Sequence, residues 1–113
     1  MSRGRRVPRP TEPGRWEIRF WRDSVEKDWN KLVAAAENNV RAAWDWLSEK
    51  PRERTDRNHP LKGELGYWKQ GKLQYDRWQH EVTGGARIWF LIDDDRRTIY
   101  IEQVHTSHPK KTD

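Results

Sequence analysis

An α+β fold is predicted: one N-terminal strand, a helical hairpin, then an antiparallel sheet of three to four strands. Three stretches predict it. Residues 15–22 alternate apolar and polar side chains. Residues 25–47 carry apolar side chains at helical spacing. From Trp78 to His108, runs of β-branched and aromatic residues are separated by Gly84-Gly85 and by Asp93-Asp94-Asp95. Period two marks a strand with one buried face, and recurrence every three to four residues marks an amphipathic helix.

Composition bounds the function classes. A chain of 113 residues is one domain's worth. Only 33% of it is hydrophobic, but eight tryptophans bury enough area each to make a thin core adequate. Lys and Arg number 23 against 18 acidic residues, a formal charge of +5 that suits a nucleic-acid or acidic-protein partner. Without cysteine there is neither a disulfide framework nor a thiolate zinc site. No run approaches the length of a membrane span and no apolar signal core follows the N-terminus, so a cytoplasmic protein is expected.

Residues 1–14 are rich in proline and arginine without periodicity, which reads as a disordered basic arm ahead of a domain over 15–113. The arm is either a solvated tail or a non-specific phosphate contact. In the first strand, Trp16, Ile18 and Phe20 share one face, and Glu17, Arg19 and Trp21 the other. Asp23 or Ser24 can cap the next element, a helix. Val25, Trp29, Leu32, Val33 and Ala36 form its apolar stripe. Asn38-Asn39 interrupts the pattern, and Val40, Ala43, Trp44 and Leu47 resume it until Pro51. Two antiparallel helices and one long kinked helix fit equally well. Residues 51–60 are polar and closed by prolines, a loop. Residues 61–77 read as an irregular connection with a short strand near Tyr67-Trp68.

The meander's register follows from its pattern. A two-residue turn at Gly84-Gly85 mixes charged and apolar positions on both faces. A three-residue loop, Gly84-Gly85-Ala86, sets Val82 opposite Ile88 and Trp78 opposite Ile92. Trp78, His80, Val82, Ile88, Phe90 and Ile92 then face the core, and Glu81, Thr83, Arg87, Trp89 and Leu91 face away. A two-residue turn at Asp94-Asp95 sets Phe90 opposite Ile99, Trp89 opposite Tyr100 and Arg87 opposite Glu102. The open face so defined is either solvated, with Arg87 and Glu102 as an ion pair of about 0.2–1 kcal/mol, or a binding surface. After Val104 come His105, Thr106, Ser107, His108, Pro109, Lys110 and Lys111: imidazoles that exchange protons near neutrality beside ammonium groups. They form no metal motif.

Two local stretches carry a resemblance. His59-Pro60-Leu61-Lys62-Gly63-Glu64-Leu65-Gly66-Tyr67-Trp68 resembles the PLKG-x-L-x-GYW stretch of the RelE/ParE toxin superfamily. Gly85-Ala86-Arg87-Ile88-Trp89-Phe90 resembles that family's strand of pattern G-x-R-(I/V)-x-Y. The element order agrees over about residues 15–110, and His105 to Lys111 falls where such toxins place catalytic or RNA-contacting residues. The resemblance implies a RelE-like fold and a type II toxin that cleaves mRNA on the ribosome and is neutralised by a cognate antitoxin. Its partners would be antitoxin, ribosome and mRNA, with no membrane. A non-catalytic ParE-like gyrase inhibitor and a nucleic-acid-binding module without enzymatic activity are the rivals.

Metal-independent RNA cleavage needs a base for the 2′-hydroxyl, cations for the phosphorane and an acid for the leaving oxygen, and no cofactor. Arg87 is the candidate for phosphate stabilisation, since its planar fork suits phosphate oxygens. Lys62 is a second cation, with Lys110 and Lys111 in the tail. His105 or His108 is the candidate acid. Glu81 or His59 is the candidate base. His59 replaces an acidic residue of similar toxins, and Glu81 stands where they often carry a basic one. Trp89 and Tyr100 are candidates for stacking unpaired bases.

Overall fold

The structure, a computed structural model, describes residues 14–107. The arm read over 1–14 lies outside them but for Gly14, as do His108, Lys110 and Lys111. The fold is α+β, with two helices on one mixed six-stranded sheet. In chain order the elements are β1 (Glu17–Phe20), α1 (Asp23–Ala35), α2 (Glu37–Glu49), β2 (Asn58–Pro60), β3 (Tyr67–Gln70), β4 (Leu73–Glu81), β5 (Arg87–Asp93) and β6 (Thr98–His105). A 3₁₀ turn, Gly63–Gly66, precedes β3. The sheet order is β1-β6-β5-β4-β2, with β3 paired to β4, and β1 runs parallel to β6. The sheet is therefore larger than the expected three or four strands, and it is mixed rather than antiparallel throughout. No helix among the described residues is long and apolar enough to cross a membrane.

Of the two helical arrangements, the chain adopts the hairpin. The break falls at Ala36 (φ −152°, ψ 58°), ahead of the asparagines. The Asn pair sits inside α2, where Asn39 Nδ2 donates to the Val82 carbonyl and ties the helix to the β4–β5 loop (3.2 Å). The N-cap of α1 is Arg22, without a side-chain cap bond. Asp23 lies inside the first turn with Glu26, where a negative charge still favours the helix dipole. Val25, Leu32, Val40, Ala43 and Leu47 pack on Trp78, Val82, Ile88, Phe90, Ile92, Ile99 and Ile101, one continuous core between helices and sheet. The face assignment made from the sequence holds for every one of these strand residues.

The loop lengths do not. Trp78 pairs with Phe90 and Glu81 with Arg87, so the β4–β5 connection is five residues, Val82 to Ala86. The slip from the expected register is two residues. Side chains alternate with period two, so an even slip preserves the faces. The β5–β6 turn spans Asp94 to Arg97, with Arg97 at φ +46°. Residues 51–60 are not all loop: Asn58–Pro60 pairs with β4. The short strand expected near Tyr67-Trp68 is β3, but the residues after it are not irregular: β3 and β4 form a hairpin about Gly71 (φ +60°).

Gly66 is fixed by close approach. A Cβ there would stand 2.5 Å from the Leu61 carbonyl oxygen, a backbone atom with little room to yield. Gly66→Ala is expected to cost about 1–3 kcal/mol, read as a lower denaturation midpoint with an unchanged m-value.

The sheet face away from the helices is not an open surface. Leu91 on that face is fully buried. Trp21, Trp68, Tyr75 and Tyr100 meet there edge to face, tilted or stacked, with ring centroids 5.0–6.1 Å apart. Beside them Arg77 and Glu102 form a two-pronged ion pair (Nε–Oε1 2.7 Å, NH2–Oε2 2.7 Å) at 13% and 9% side-chain exposure. This second, smaller core explains why β5 is buried along its whole length.

Candidate active site

A β-bulge builds the site. Phe90 pairs with Ile101, but Trp89 pairs with Gln103, leaving Glu102 as an extra residue on β6. A bulge adds one residue to one strand and re-aims the side chains beyond it. Continued without the bulge, the register of Asp93–Thr98 and Phe90–Ile101 would set Arg87 opposite Val104; the bulge advances it by one and sets His105 there. Glu81, Arg87 and His105 thus form one row across β4, β5 and β6. The next row holds His59, Gln79, Trp89 and Gln103. The expected Arg87–Glu102 pair is not formed, because both the turn length and the bulge differ from the simplest hairpin.

Arg87 is buried, and its bonds are mostly made. NH1 donates to the carbonyls of Thr83 (2.8 Å), Gly84 (3.3 Å) and Ala86 (3.1 Å), and NH2 meets Glu81 Oε1 at 2.9 Å. The guanidinium thus pins the β4–β5 loop. Glu81 is paired twice, since its Oε2 lies 3.2 Å from Arg57 Nε. Both carboxylate oxygens of Glu81 are thus engaged in ion pairs. Arg57 itself is 75% exposed.

His105 is half-buried beside the buried Trp89 ring, centroids 4.8 Å apart. Trp89 is held in turn by its Nε1, which donates to Gln79 Oε1 (2.9 Å). His105 Nε2 lies 3.0 Å from Gln103 Oε1. With the amide oxygen accepting, the ring proton sits on Nε2 and Nδ1 keeps its lone pair. Burial lowers the His105 pKa from its ordinary value, against the opposing fields of Asp28 and Glu102. The imidazole is therefore neutral at neutral pH, the form that accepts a proton.

Of the residues singled out from the sequence, Glu81, Arg87 and His105 meet in one row and His59 stands one row over. His59 Nδ1 lies 3.1 Å from its neighbour's carbonyl, Pro60 O. Trp89 is 4% exposed with its ring against His105, so it is not a free platform for a base. Tyr100 belongs to the aromatic cluster at the other end of the face. Lys62 is exposed just before the 3₁₀ turn, with no described bond to the row. Among the described residues no group of three His, Asp or Glu is placed to hold a metal ion.

Sequence reading missed Arg57, Asn58, Gln103 and the role of His80. Arg57 and Asn58 lay in a segment read as loop, and only the β2–β4 pairing brings them to the site. Asn58 is fully buried, and its Nδ2 donates to the carbonyls of Pro51 (2.8 Å) and Glu53 (2.9 Å). Its Oδ1 then faces His80 Nδ1 at 3.0 Å. Burial, helped by the charge of Arg57, lowers the His80 pKa from 6.5 to about 4. Above pH 6.5 the ring is neutral folded or unfolded, and it contributes no pH dependence. Between 6.5 and about 4 the unfolded chain takes up a proton that the folded chain refuses, so stability falls as pH falls. At about 1.36 kcal/mol per pKa unit the loss is roughly 3 kcal/mol. Urea denaturation at pH 7 and at pH 4.5 should show the greater part of that loss in the wild type, and little of it in His80→Gln.

Comparison with known proteins finds no family model and no curated sequence that matches the chain.

Proposed function

We propose that the chain is the toxin of a type II toxin–antitoxin pair, RelE-like in arrangement, and that it cleaves mRNA on the ribosome. The observation that carries this reading is the row Glu81–Arg87–His105, with His59 beside it, built on three strands by the β6 bulge. The element order, strand, helical hairpin and sheet, accords with the resemblance. His105 Nδ1 takes the proton of the 2′-hydroxyl. The 2′-oxygen attacks phosphorus, and the bond to the 5′-oxygen breaks. That oxygen takes a proton from an acid, the role given to His108. The products carry a 2′,3′-cyclic phosphate and a 5′-hydroxyl. Exposed Arg57 joins Lys62, Lys110 and Lys111 as cationic support for the phosphorane. Arg87 lends its charge to the row from beneath, and it positions Glu81 and the loop. The site works in the cytoplasm without a cofactor, and an acidic antitoxin segment covers it, since complementary potential both steers and specifies such a pair.

A non-catalytic gyrase inhibitor is favoured by a different feature. Trp29, Val33, Val40 and Trp44 line an apolar groove on the helical hairpin, and Trp44 is 40% exposed. Inducing the chain and mapping mRNA ends tests both readings. The toxin-nuclease reading expects cuts within translated frames and unimpaired gyrase supercoiling. Intact mRNA with inhibited supercoiling would favour the groove.

A further inference from the structure

Beside the row lies a cleft of about 330 Å³ between α2, the chain entering β2 and the end of β4. Ala43, Trp46 and Val82 make its apolar walls, and Glu81 lines it where it borders the row. Its size is at the lower end of the range for small-ligand sites. The informative atom is His80 Nε2. Both N–H groups of the Asn58 amide are engaged by the Pro51 and Glu53 carbonyls, so Asn58 presents its oxygen to His80 Nδ1. Nδ1 therefore carries the ring proton, and Nε2 is a lone-pair acceptor. No described residue donates to Nε2. The one buried, unpartnered side-chain polar atom among the described residues is Trp46 Nε1. The unpartnered Nε2 is consequently accessible, and His80 lines the cleft.

Three hydrogen bonds thus fix a tautomer that offers an acceptor to an apolar cleft. Trp46 supplies a flat wall whose ring centroid is 6.0 Å from the imidazole. At its rim stands Arg57, exposed, whose guanidinium is engaged only through Nε among the described residues. Arg57 and Arg87 share the single carboxylate of Glu81, so this corner keeps an excess positive charge that suits an anion.

We propose that the cleft is a subsite for one unpaired base of single-stranded RNA that bears an exocyclic amino group: adenine, cytosine or guanine, and not uracil. Its exocyclic amino group donates to His80 Nε2, its ring lies against Trp46, and its phosphate meets Arg57. The substrate class rests on the RNA reading of the neighbouring row. Uracil fits poorly because its N–H lies between two carbonyl oxygens, which the imidazole lone pair repels. Neutral His80 is the form this contact needs, and burial keeps it neutral across the physiological range.

The test is a nitrogen-15 NMR titration of the full chain with adenosine 5′-monophosphate as probe. The expected result is saturable shifts at the His80 imidazole and the Trp46 indole. Binding should be roughly tenfold weaker for the N6,N6-dimethyl analogue and for uridine 5′-monophosphate, each lacking the matched donor. Arg57→Gln should weaken the monophosphate and leave adenosine unchanged. Because a His80 substitution disturbs a buried network, the main comparison changes the ligand and keeps the protein intact. No shift at His80, or equal binding of all three nucleotides, overturns the subsite. RNA cleavage is scored separately: cleavage without this binding removes the subsite and spares the nuclease, and binding without cleavage does the reverse.

Discussion

Replacing His105 with alanine is expected to slow mRNA cleavage by roughly 10²–10⁴-fold, the usual contribution of a positioned acid or base. The chain should remain folded, because the ring is half-buried and its main packing partner, Trp89, keeps its own bond to Gln79. Loss of the ring contact costs about 0.5–1.5 kcal/mol, small beside the kinetic effect. The pH profile reports on the same group. The base must be unprotonated, so the rate falls as pH drops through the His105 pKa. Burial holds that pKa below the ordinary histidine value of 6.5, so the acid limb lies below pH 6.5. A midpoint above 6.5 would take the role away from His105.

The second large effect is on stability. Arg77→Ala removes one partner of the ion pair that spans β5 beneath the aromatic cluster, leaving the Glu102 carboxylate at 9% exposure without its counter-ion. Breaking a buried pair in this way costs about 3–5 kcal/mol. Arg77→Met combined with Glu102→Leu should recover much of that, because two apolar side chains of similar volume leave no charge stranded. The Arg77 guanidinium lies 6.0 Å from the Trp89 ring, which in turn backs His105. Arg77→Ala is therefore expected to lower cleavage as well, through a loosened His105. Chemical denaturation reads the first effect, and cleavage measured well below the unfolding transition reads the second.

What could be read in the sequence, and what could not, divides along a physical line. Faces were legible, because period-two alternation survives a two-residue slip, and the whole core from Trp78 to Ile101 came from it. Partners across strands were not legible, because a single bulge changes which side chains meet. Nothing in the run from Tyr100 to His105 marks Glu102 as the extra residue. The pairing with His105 therefore came from the structure, although Arg87, Glu81 and His105 had each been singled out by chemistry. The β3–β4 hairpin was legible only in part: the short strand at Tyr67-Trp68 stood out, while the pairing of Trp68 with Tyr75 across the Gly71-Lys72 turn came from the structure. β2 was not, since two polar residues and a proline carry no strand pattern of their own and pair only because β4 offers an edge. The open face was misjudged because Trp21 and Trp68 reach it from β1 and β3, outside the meander, and Tyr75 from the start of β4, ahead of the run beginning at Trp78. Those rings turn half of an expected binding surface into a second core.

Cleavage of RNA by 2′-hydroxyl attack at the row that ends this sheet can be tested by incubating the purified chain with programmed ribosomes and determining the chemistry of the RNA ends. The expected cuts bear a 2′,3′-cyclic phosphate or its opened form upstream and a 5′-hydroxyl downstream, and they are abolished in His105→Ala. Uncut mRNA with a folded wild-type chain, or ends bearing a 5′-phosphate, would contradict that chemistry.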